Sequence, residues 1–449
     1  MVQTMMRARL ASLASILTMT LACGGDSSSG RDTDLETGVN TSLEAETGNA
    51  DQSGDGDGDP TGDGDPSGDG DPSGDGAEPK WDTLAVPDAS FNCNDNNVDE
   101  THSYIWIANS SQGTVSKINT QTLIEEGRYH TRDTPGNPSR TSVSLSGDVA
   151  VANRSGGVVK FYSNAEECPD SNGVPGVQTS TGPNDILPWG TDECMAWYAP
   201  FGFTTQRPVA WAQGDFNQGT CKYENEKLWT AGGMGIAQVL LLDGETGVVE
   251  ETVDIPNVIG WAGLYGGAVD GDGNFWTVDH NWDGPSTLIR VDRQSFTYET
   301  WPVTGQVHYG LAVDSQGRAW LCGNGGASRF DPQTETWTHL NPQAAGSALG
   351  GCMEDANGIL WTSPYPSAAL VGIDTDTVQV VKTIPIPAYV HGVSIDFEGY
   401  VWGVEFGGSN AYRVDPDTML VDTVTGLVGA YTYSDMTGFA ISAAGTPSG

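Results

Sequence analysis

Short apolar runs separated by Asp/Gly turns recur along the chain from residue 104 onward. In residues 310–320, an apolar strand is followed by a turn, and a second apolar strand then ends at a tryptophan. Residues 266–276, 351–361 and 392–402 repeat this order, and the four tryptophans are 44, 41 and 41 residues apart. Glycine supplies the positive φ that tight hairpin turns need. The pattern therefore predicts repeating units of short antiparallel strands, named A to D within each unit.

A period near forty with four short strands per unit is typical of a β-propeller blade. Less regular copies occupy the ranges 104–119, 142–161 and 208–253. Together with the four clear copies they predict an all-β fold, a seven-bladed propeller over residues 104–445.

The two ends of this region complement each other. The first copy lacks strand A, and residues 433–441 read as an A strand with no B strand after it. We therefore expect the C-terminal strand to complete the first blade and to close the ring, which leaves no free sheet edge.

A long segment, 164–205, interrupts the repeat and is predicted to be an insertion between blades two and three. It contains Cys168 and Cys194, which we expect to pair. Cys322 ends strand B of blade five and Cys352 begins strand A of blade six, so these two could bridge neighbouring blades. The remaining candidates are Cys93 and Cys221, and the alternative is that some of the six stay free thiols.

The chain begins with a short basic segment and an apolar run, residues 1–22, which has the layout of a signal peptide and is too short to span a membrane. Cys23 follows small residues at the end of this run, as in the cleavage box of bacterial lipoproteins. That similarity implies lipidation of Cys23, export, and anchoring in the cell envelope, with the outer membrane favoured by Gly24. The alternative is a plain signal peptide with an incidental cysteine.

Residues 23–80 are predicted to be a disordered linker that carries the lipid at its first residue. Residues 24–80 hold 16 acidic side chains against Arg31 and Lys80, with almost nothing apolar to bury. Asp55, Asp57 and Asp59 resemble the start of a calcium loop, but the loop glycine and later glutamate are missing, so a solvated spacer is favoured. Residues 81–103 are a lead-in to the propeller.

Charge narrows the choice of partners. The whole chain carries −40, and residues 81–449 hold 43 acidic and 15 basic side chains. This balance argues against binding to nucleic acid or to an anionic membrane surface. We expect a monomer that contacts the membrane through the lipid on Cys23.

The repeat also predicts where a ligand would bind. Because strands A and B are antiparallel neighbours, the start of A and the end of B lie at one rim of the ring, where propellers hold ligands. Histidines there could act in acid–base chemistry, and carboxylates could hold Mg²⁺ or Ca²⁺. The alternative is that the histidines cap strand ends and the aromatic rings pack the mouth. The candidates at this rim are Tyr265, Asp279, His280, Trp282, His308, Tyr309, Tyr365, His391, Glu405 and Asp435.

The runs 390–405 and 410–415, together with 105–109 and the His308-Tyr309-Gly310 start of blade five, resemble the repeat of the virginiamycin B lyase family. That family opens a cyclic depsipeptide antibiotic by elimination, with His and Glu side chains and a magnesium ion near the axis. The resemblance implies roles for His308, His391 and Glu405. Blade six departs from the family pattern, with Ser363-Pro364-Tyr365 in place of a glutamate.

Two functional hypotheses follow. The first is an envelope-anchored propeller that binds a protein, peptide or glycan at the axial rim. The second is a metal-dependent lyase or hydrolase of the virginiamycin B lyase type, and a purely structural role is a third. We favour binding, since such repeats also occur in non-enzymatic propellers and fold does not determine activity.

Overall fold

The computed structural model describes residues 103–203, 205–220, 222–260, 262–281, 284–305, 309–323, 326–340 and 348–444. The predicted signal peptide, Cys23, the linker 23–80 and the lead-in as far as residue 102 lie outside these residues. Within them, seven sheets have the strand composition of propeller blades, so the predicted fold class is confirmed.

The strands follow one another antiparallel within each blade, and their bounds are these. The first blade contains β1 (Tyr104–Asn109), β2 (Thr114–Asn119) and β3 (Glu125–His130). The second contains β4 (Pro138–Val143), β5 (Val149–Asn153), β6 (Val158–Phe161) and β7 (Met195–Ala199). The third contains β8 (Val209–Ala212), β11 (Lys227–Gly232), β12 (Gly235–Asp243) and β13 (Val249–Val258), with a side hairpin of β9 (Asp215–Asn217) and β10 (Lys222–Glu224).

The remaining four blades are regular. The fourth contains β14 (Leu264–Val269), β15 (Phe275–Asp279), β16 (Thr287–Val291) and β17 (Tyr298–Pro302), and the fifth β18 (Gly310–Val313), β19 (Ala319–Gly323), β20 (Gly326–Asp331) and β21 (Thr336–His339). The sixth contains β22 (Ala348–Glu354), β23 (Ile359–Tyr365), β24 (Ala369–Asp374) and β25 (Gln379–Pro385), and the seventh β26 (Val390–Ile395), β27 (Val401–Glu405), β28 (Asn410–Val414) and β29 (Val421–Thr425). A single helical turn, α1 (Phe439–Ala443), follows.

One hydrogen-bonded pair explains the repeated Asp and Trp in the regular blades. The turn aspartate between strands A and B accepts backbone N–H groups of its own turn, as Asp314 does from Gln316 and Arg318. Its second oxygen accepts the indole N–H of the tryptophan six residues later, at 2.8 Å from Trp320. The same indole–carboxylate bond measures 2.7–2.9 Å at Trp276, Trp361 and Trp402. The pair fixes the turn and the orientation of the buried ring together.

The irregular blades lack this pair. Trp106 in the first blade is fully buried, and its indole N–H has no hydrogen-bond partner among the described residues. Trp229 in the third blade donates instead to the carbonyl of Gly273 in the next blade. Loss of the turn aspartate is therefore what makes these copies hard to recognise in the sequence.

The C-terminal segment completes the first blade. Residues 430–436 run antiparallel to β1. Asn109 and Ala430 form a bridge, and the backbone N–H of Trp106 donates a 2.9 Å hydrogen bond to the Met436 carbonyl. The closure expected at 433–441 thus begins earlier, at Ala430. It also ends earlier, because residues 439–443 are helical and not extended.

Close approach of this segment depends on Gly392 in the inner strand of the seventh blade. A Cβ atom at Gly392 would lie 2.1 Å from the Thr432 carbonyl oxygen, so no other residue fits without moving the backbone. The glycine that follows His391 in the repeat therefore has a packing role.

The predicted insertion lies within the second blade. Its range, 164–205, includes β7, which is the fourth strand of the β4–β7 sheet. The chain therefore leaves the blade after β6 and returns to it as β7. Hydrogen bonding to β6 places Met195–Ala199 in that sheet, which the sequence pattern did not indicate.

Two of the predicted disulfides are present. Cys168–Cys194 staples the excursion from the second blade, and Cys322–Cys352 joins β19 of blade five to β22 of blade six. Cys93 and Cys221 lie outside the described residues. Among the described helices, none is long and apolar enough to cross a membrane.

The turn aspartate can be tested in blade five. Asp314→Ala should lower the free energy of unfolding by about 3 kcal/mol, because it leaves the Trp320 indole without an acceptor and removes the buried partner of Arg318. Urea unfolding followed by tryptophan fluorescence measures the change.

Asp272→Ala is the matched control, since Asp272 lies in the equivalent hairpin of blade four and is exposed. It should change stability by less than about 0.5 kcal/mol. Equal losses in both variants would contradict the structural role of the buried aspartate.

Candidate functional site

Two positions in each repeat bring side chains to one mouth of the axial channel. The first lies five residues before the turn aspartate, at the start of strand A, and is filled by Tyr265, Tyr309 and His391. The strand register places Arg207 at the same position of the third blade, because Ala210 faces Trp229 as Ala268 faces Trp276.

The second position lies four residues after the strand B tryptophan, at the last residue of that strand or just beyond it. It is filled by His280, Tyr365 and Phe406. In the second blade, Val143 pairs with Val149 as Val269 pairs with Phe275 in the fourth. Ala150 is therefore equivalent to the tryptophan, and the second position of this blade is Arg154. The two positions together form the axial mouth.

Four tyrosines meet at its centre. Tyr431 and Tyr433 come from the C-terminal segment, and their hydroxyl groups contact those of Tyr265 and Tyr309. The rings of Tyr309 and Tyr265 have centroids 4.8 Å apart, and the ring of Tyr309 lies 5.0 Å from that of Tyr433. We call these four residues the tyrosine cluster.

Three arginines lie against this cluster, and Arg207 does so with its guanidinium carbon 5.1 Å from the Tyr265 centroid. The guanidinium carbon of Arg140 lies 3.1 Å from the Tyr433 ring centroid and 4.9 Å from that of Tyr265. The guanidinium carbon of Arg154 lies 4.0 Å from the Tyr431 centroid. Cation–π contacts of this kind stabilise a guanidinium and hold its plane against the ring.

The guanidinium groups of Arg140 and Arg154 each keep one edge without a partner. Nη1 of Arg140 donates to the Ser139 carbonyl at 3.0 Å, and Nη1 of Arg154 donates to Oδ1 of Asn137 at 2.8 Å. In each residue Nε and Nη2 are buried and have no acceptor among the described residues. An unpaired buried donor costs about 1–3 kcal/mol, and more when charged, so this arrangement needs an explanation.

The mouth is a positive region in an acidic protein. No ion pair of the described residues includes Arg140 or Arg154. Burial, together with the neighbouring charges of Arg207 and Arg140, lowers the pKa of Arg154 to about 10. An anion bound beside these arginines would offset the repulsion between their positive charges.

His391 lies on the floor of this region. Its Nδ1 forms a 2.8 Å hydrogen bond with the Tyr389 hydroxyl, and its ring contacts those of Tyr309, Tyr433 and Phe406. Burial, with the charges of Arg140 and Arg154, lowers the pKa of His391 to about 3. The imidazole is therefore neutral at physiological pH.

Glu405 forms its hydrogen bonds within its own hairpin. Its carboxylate accepts hydrogen bonds from the Ser409 and Asn410 backbone N–H groups and from the side chains of Asn410 and Tyr412, which closes its own hairpin. Among the described residues, no group of three or more His, Cys, Asp or Glu side chains is placed to hold a metal ion.

Of the other predicted site residues, His280 and Tyr365 contact aromatic rings of the mouth, whereas Asp279 and Asp435 accept hydrogen bonds from backbone N–H groups. His280 stacks on Tyr265 at 4.8 Å, and Tyr365 is 54% exposed at the rim, packed edge-on against Tyr389. Asp279 instead holds the loop before β14 through the Ile259 and Gly260 N–H groups.

Asp435 lies deeper in the channel, where it accepts the Gly438 N–H at the start of α1, and burial raises its pKa to about 6. Trp282 and His308 lie outside the described residues.

Sequence reasoning missed Arg140, Arg154, Arg207, Tyr431 and Phe406. The two repeat positions would have found Phe406 directly, since it lies four residues after Trp402. The arginines belong to blades without the turn aspartate, so the repeat gave no reference point for counting. Arg140 also sits in a β-bulge between Pro138 and Arg140, which shifts it relative to the repeat.

Comparison with known proteins identifies the fold. No model of a protein family and no curated protein matches the chain. A structure of streptogramin B lyase is 13% identical with a TM-score of 0.50, covering 68% of this chain and 87% of that chain. A protein from Lactobacillus plantarum is 12% identical with a TM-score of 0.50, covering 74% and 98%.

A structure of virginiamycin B lyase from Staphylococcus aureus is 12% identical with a TM-score of 0.45, covering 66% of this chain and 89% of that chain. The likeness to streptogramin B lyase, at a TM-score of 0.50, shows that the chain has the propeller fold of that lyase, as its repeats predicted. Identities this low establish the fold alone.

The charge of the mouth can be measured through His391. We expect its imidazole to stay neutral from pH 8 down to about pH 4, because its pKa is lowered to about 3 from an ordinary 6.5. The unfolded chain takes up this proton first, so the contribution to stability is complete above pH 6.5 and is lost as the pH falls toward 3. Long-range ¹H–¹⁵N correlation spectra report the titration.

Arg154→Gln removes one of the two charges and should raise the pKa of His391. Arg413→Gln, which removes an arginine paired with Asp422 outside the mouth, should leave it unchanged. A midpoint near 6.5 in the unaltered protein would show that the imidazole is solvated, contrary to the structure.

Proposed function

We propose that this protein is an exported lipoprotein, anchored in the cell envelope through Cys23, whose propeller binds a protein, peptide or glycan ligand at the axial mouth. The observation that carries this proposal is the mouth itself. It combines exposed aromatic rings at the rim with a convergent polar floor supplied by several blades. Recognition sites in proteins commonly have this composition, an apolar wall with a few oriented polar groups.

The rim offers contact area for such a ligand. Phe406 is 55% exposed although it is a large apolar side chain, and its ring lies 4.9 Å from His391 and 5.3 Å from Tyr431. Tyr365 is exposed to a similar extent. Exposed aromatic rings are typical of surfaces that bind peptides and sugars, because their stacking requires little ordering of side chains.

Binding is favoured over elimination chemistry for reasons of charge and bonding. The carboxylate of Glu405 is engaged within its hairpin, and Arg140 and Arg154 make the mouth unfavourable for a divalent cation. The low-identity structural likeness supports the fold and no particular activity. Among the described residues of the mouth, no observation favours a metal-dependent lyase as a second function.

The binding proposal predicts that rim aromatics determine affinity. Mature protein with Phe406→Ala and Tyr365→Ala should lose at least about tenfold in affinity for its ligands on peptide and glycan arrays, since each lost ring removes about 1–3 kcal/mol of contact. Surface plasmon resonance on the array-positive compounds gives the ratio.

Leu420→Ala is the matched control, because Leu420 is 70% exposed in the turn between β28 and β29, at the opposite end of the blade. It should bind like the unaltered protein. Retention of full affinity in the double variant would refute the role of the rim rings in binding.

The anchoring proposal predicts that Cys23 carries the lipid. Cells expressing Cys23→Ser should show no fatty-acid label on this protein, and the protein should leave the membrane fraction, because stable anchoring requires the acyl chains. Cys93→Ser is a control that should keep the label. Unchanged labelling of Cys23→Ser would refute lipidation at this residue.

A further inference from the structure

We infer that the axial mouth recognises the C-terminal end of an acidic peptide, with Arg140 and Arg154 each binding one carboxylate. This inference rests on the proposed binding function and specifies its ligand. It follows from the edges of the two guanidinium groups, the closed lower end of the channel, and the distribution of charge.

The unpaired edge is the same in both arginines. Nε and Nη2 point in one direction as a parallel pair of N–H donors, which matches the two oxygens of a carboxylate. Nη1 is already bonded to Ser139 or Asn137, so each guanidinium is held with this edge available. The buried donors lose no further solvation when a carboxylate reaches them.

The tyrosine cluster fixes the two arginines and covers them. Arg140 stacks on Tyr433 and Arg154 on Tyr431, two residues of one extended segment with ring centroids 5.5 Å apart. Neighbouring rings therefore present neighbouring guanidinium groups. A ligand enters as the Tyr431 hydroxyl gives up its contacts with Tyr309 and Tyr265.

The channel is closed beyond this point, and this favours a chain end as the ligand. Helix α1 lies among the later parts of the inner strands, with Phe439 and Ile441 buried, and the cavity that remains beside it measures about 40 Å³. A polymer with carboxylates along its length, such as a uronate, cannot pass through. A peptide C-terminus places an α-carboxylate at its very end, and a terminal Glu or Asp adds the second.

Charge contributes selectivity. Residues 81–449 hold 43 acidic and 15 basic residues, whereas no ion pair of the described residues neutralises Arg140 or Arg154. An acidic ligand is therefore repelled by the general surface and bound only where the positive groups are concentrated.

The test uses tetrapeptides and the mature protein in isothermal titration calorimetry at pH 7 and 0.15 M salt. Acetyl-Gly-Gly-Gly-Glu with a free C-terminus should bind. Replacing its terminal carboxylate by an amide, or its Glu by Gln, should each weaken binding at least about tenfold, since a charged hydrogen-bonded pair is worth about 1.5–3 kcal/mol.

Two arginine variants distinguish binding by the paired N–H donors from binding by positive charge alone. Arg154→Gln should lose at least about tenfold in affinity for the acidic tetrapeptide, and Arg140→Lys should lose as much, because lysine keeps the charge but not the two parallel donors. Arg154 is only partly buried, so Arg154→Gln keeps the test valid if Arg140→Lys misfolds. Arg413→Gln should bind normally.

Several results would overturn the inference. These are equal binding of the amide peptide, tighter binding of a galacturonate oligomer, equal competition by inorganic phosphate, or unchanged affinity in Arg154→Gln. If array ligands depend on Phe406 and Tyr365 but not on carboxylates, the binding function stands and the carboxylate assignment fails. If the acidic tetrapeptide binds through the arginines but not through the rim rings, the rim proposal fails instead.

Discussion

The structure depends on a buried carboxylate that accepts an indole N–H in the first hairpin of a blade. Asp314 and Trp320 show the arrangement, in which one oxygen orders the turn and the other holds the ring in the plane between neighbouring sheets. Because Trp276 stacks on Trp301 of its own blade and contacts Phe330 of the next, an indole fixed in this way also sets the spacing between blades. Turn, strand pairing and blade packing are thus coupled through one side-chain hydrogen bond.

Most of the architecture could be predicted from the sequence for this reason. The aspartate, the glycine-containing turn and the tryptophan recur with a constant local spacing, and each is needed for a physical reason. The insertion was predicted between blades two and three, whereas it lies within blade two. Strand β7 is identified by its pairing with β6, more than thirty residues earlier in the chain, and such a pairing leaves no local periodicity in the sequence. The helical end of the chain was missed because Phe439 and Ile441 are buried in α1, and their alternation also fits a strand.

The candidate site was harder to predict, and the difficulty has a structural cause. Tyr265, Tyr309 and His391 occupy equivalent positions of regular blades, and the repeat located them. Arg140, Arg154 and Arg207 come from blades in which the reference aspartate is absent, so only the three-dimensional register assigns them. Regular blades and the C-terminal segment therefore provide the aromatic rings of the mouth, whereas the second and third blades provide its arginines.

The segment that closes the ring also supplies Tyr431 and Tyr433 to the mouth. One extended segment therefore both pairs with the first blade and supplies the rings on which Arg140 and Arg154 stack. If this segment left the first blade, both rings would leave the mouth together. Closure of the ring and assembly of the aromatic centre of the mouth are thus a single structural event.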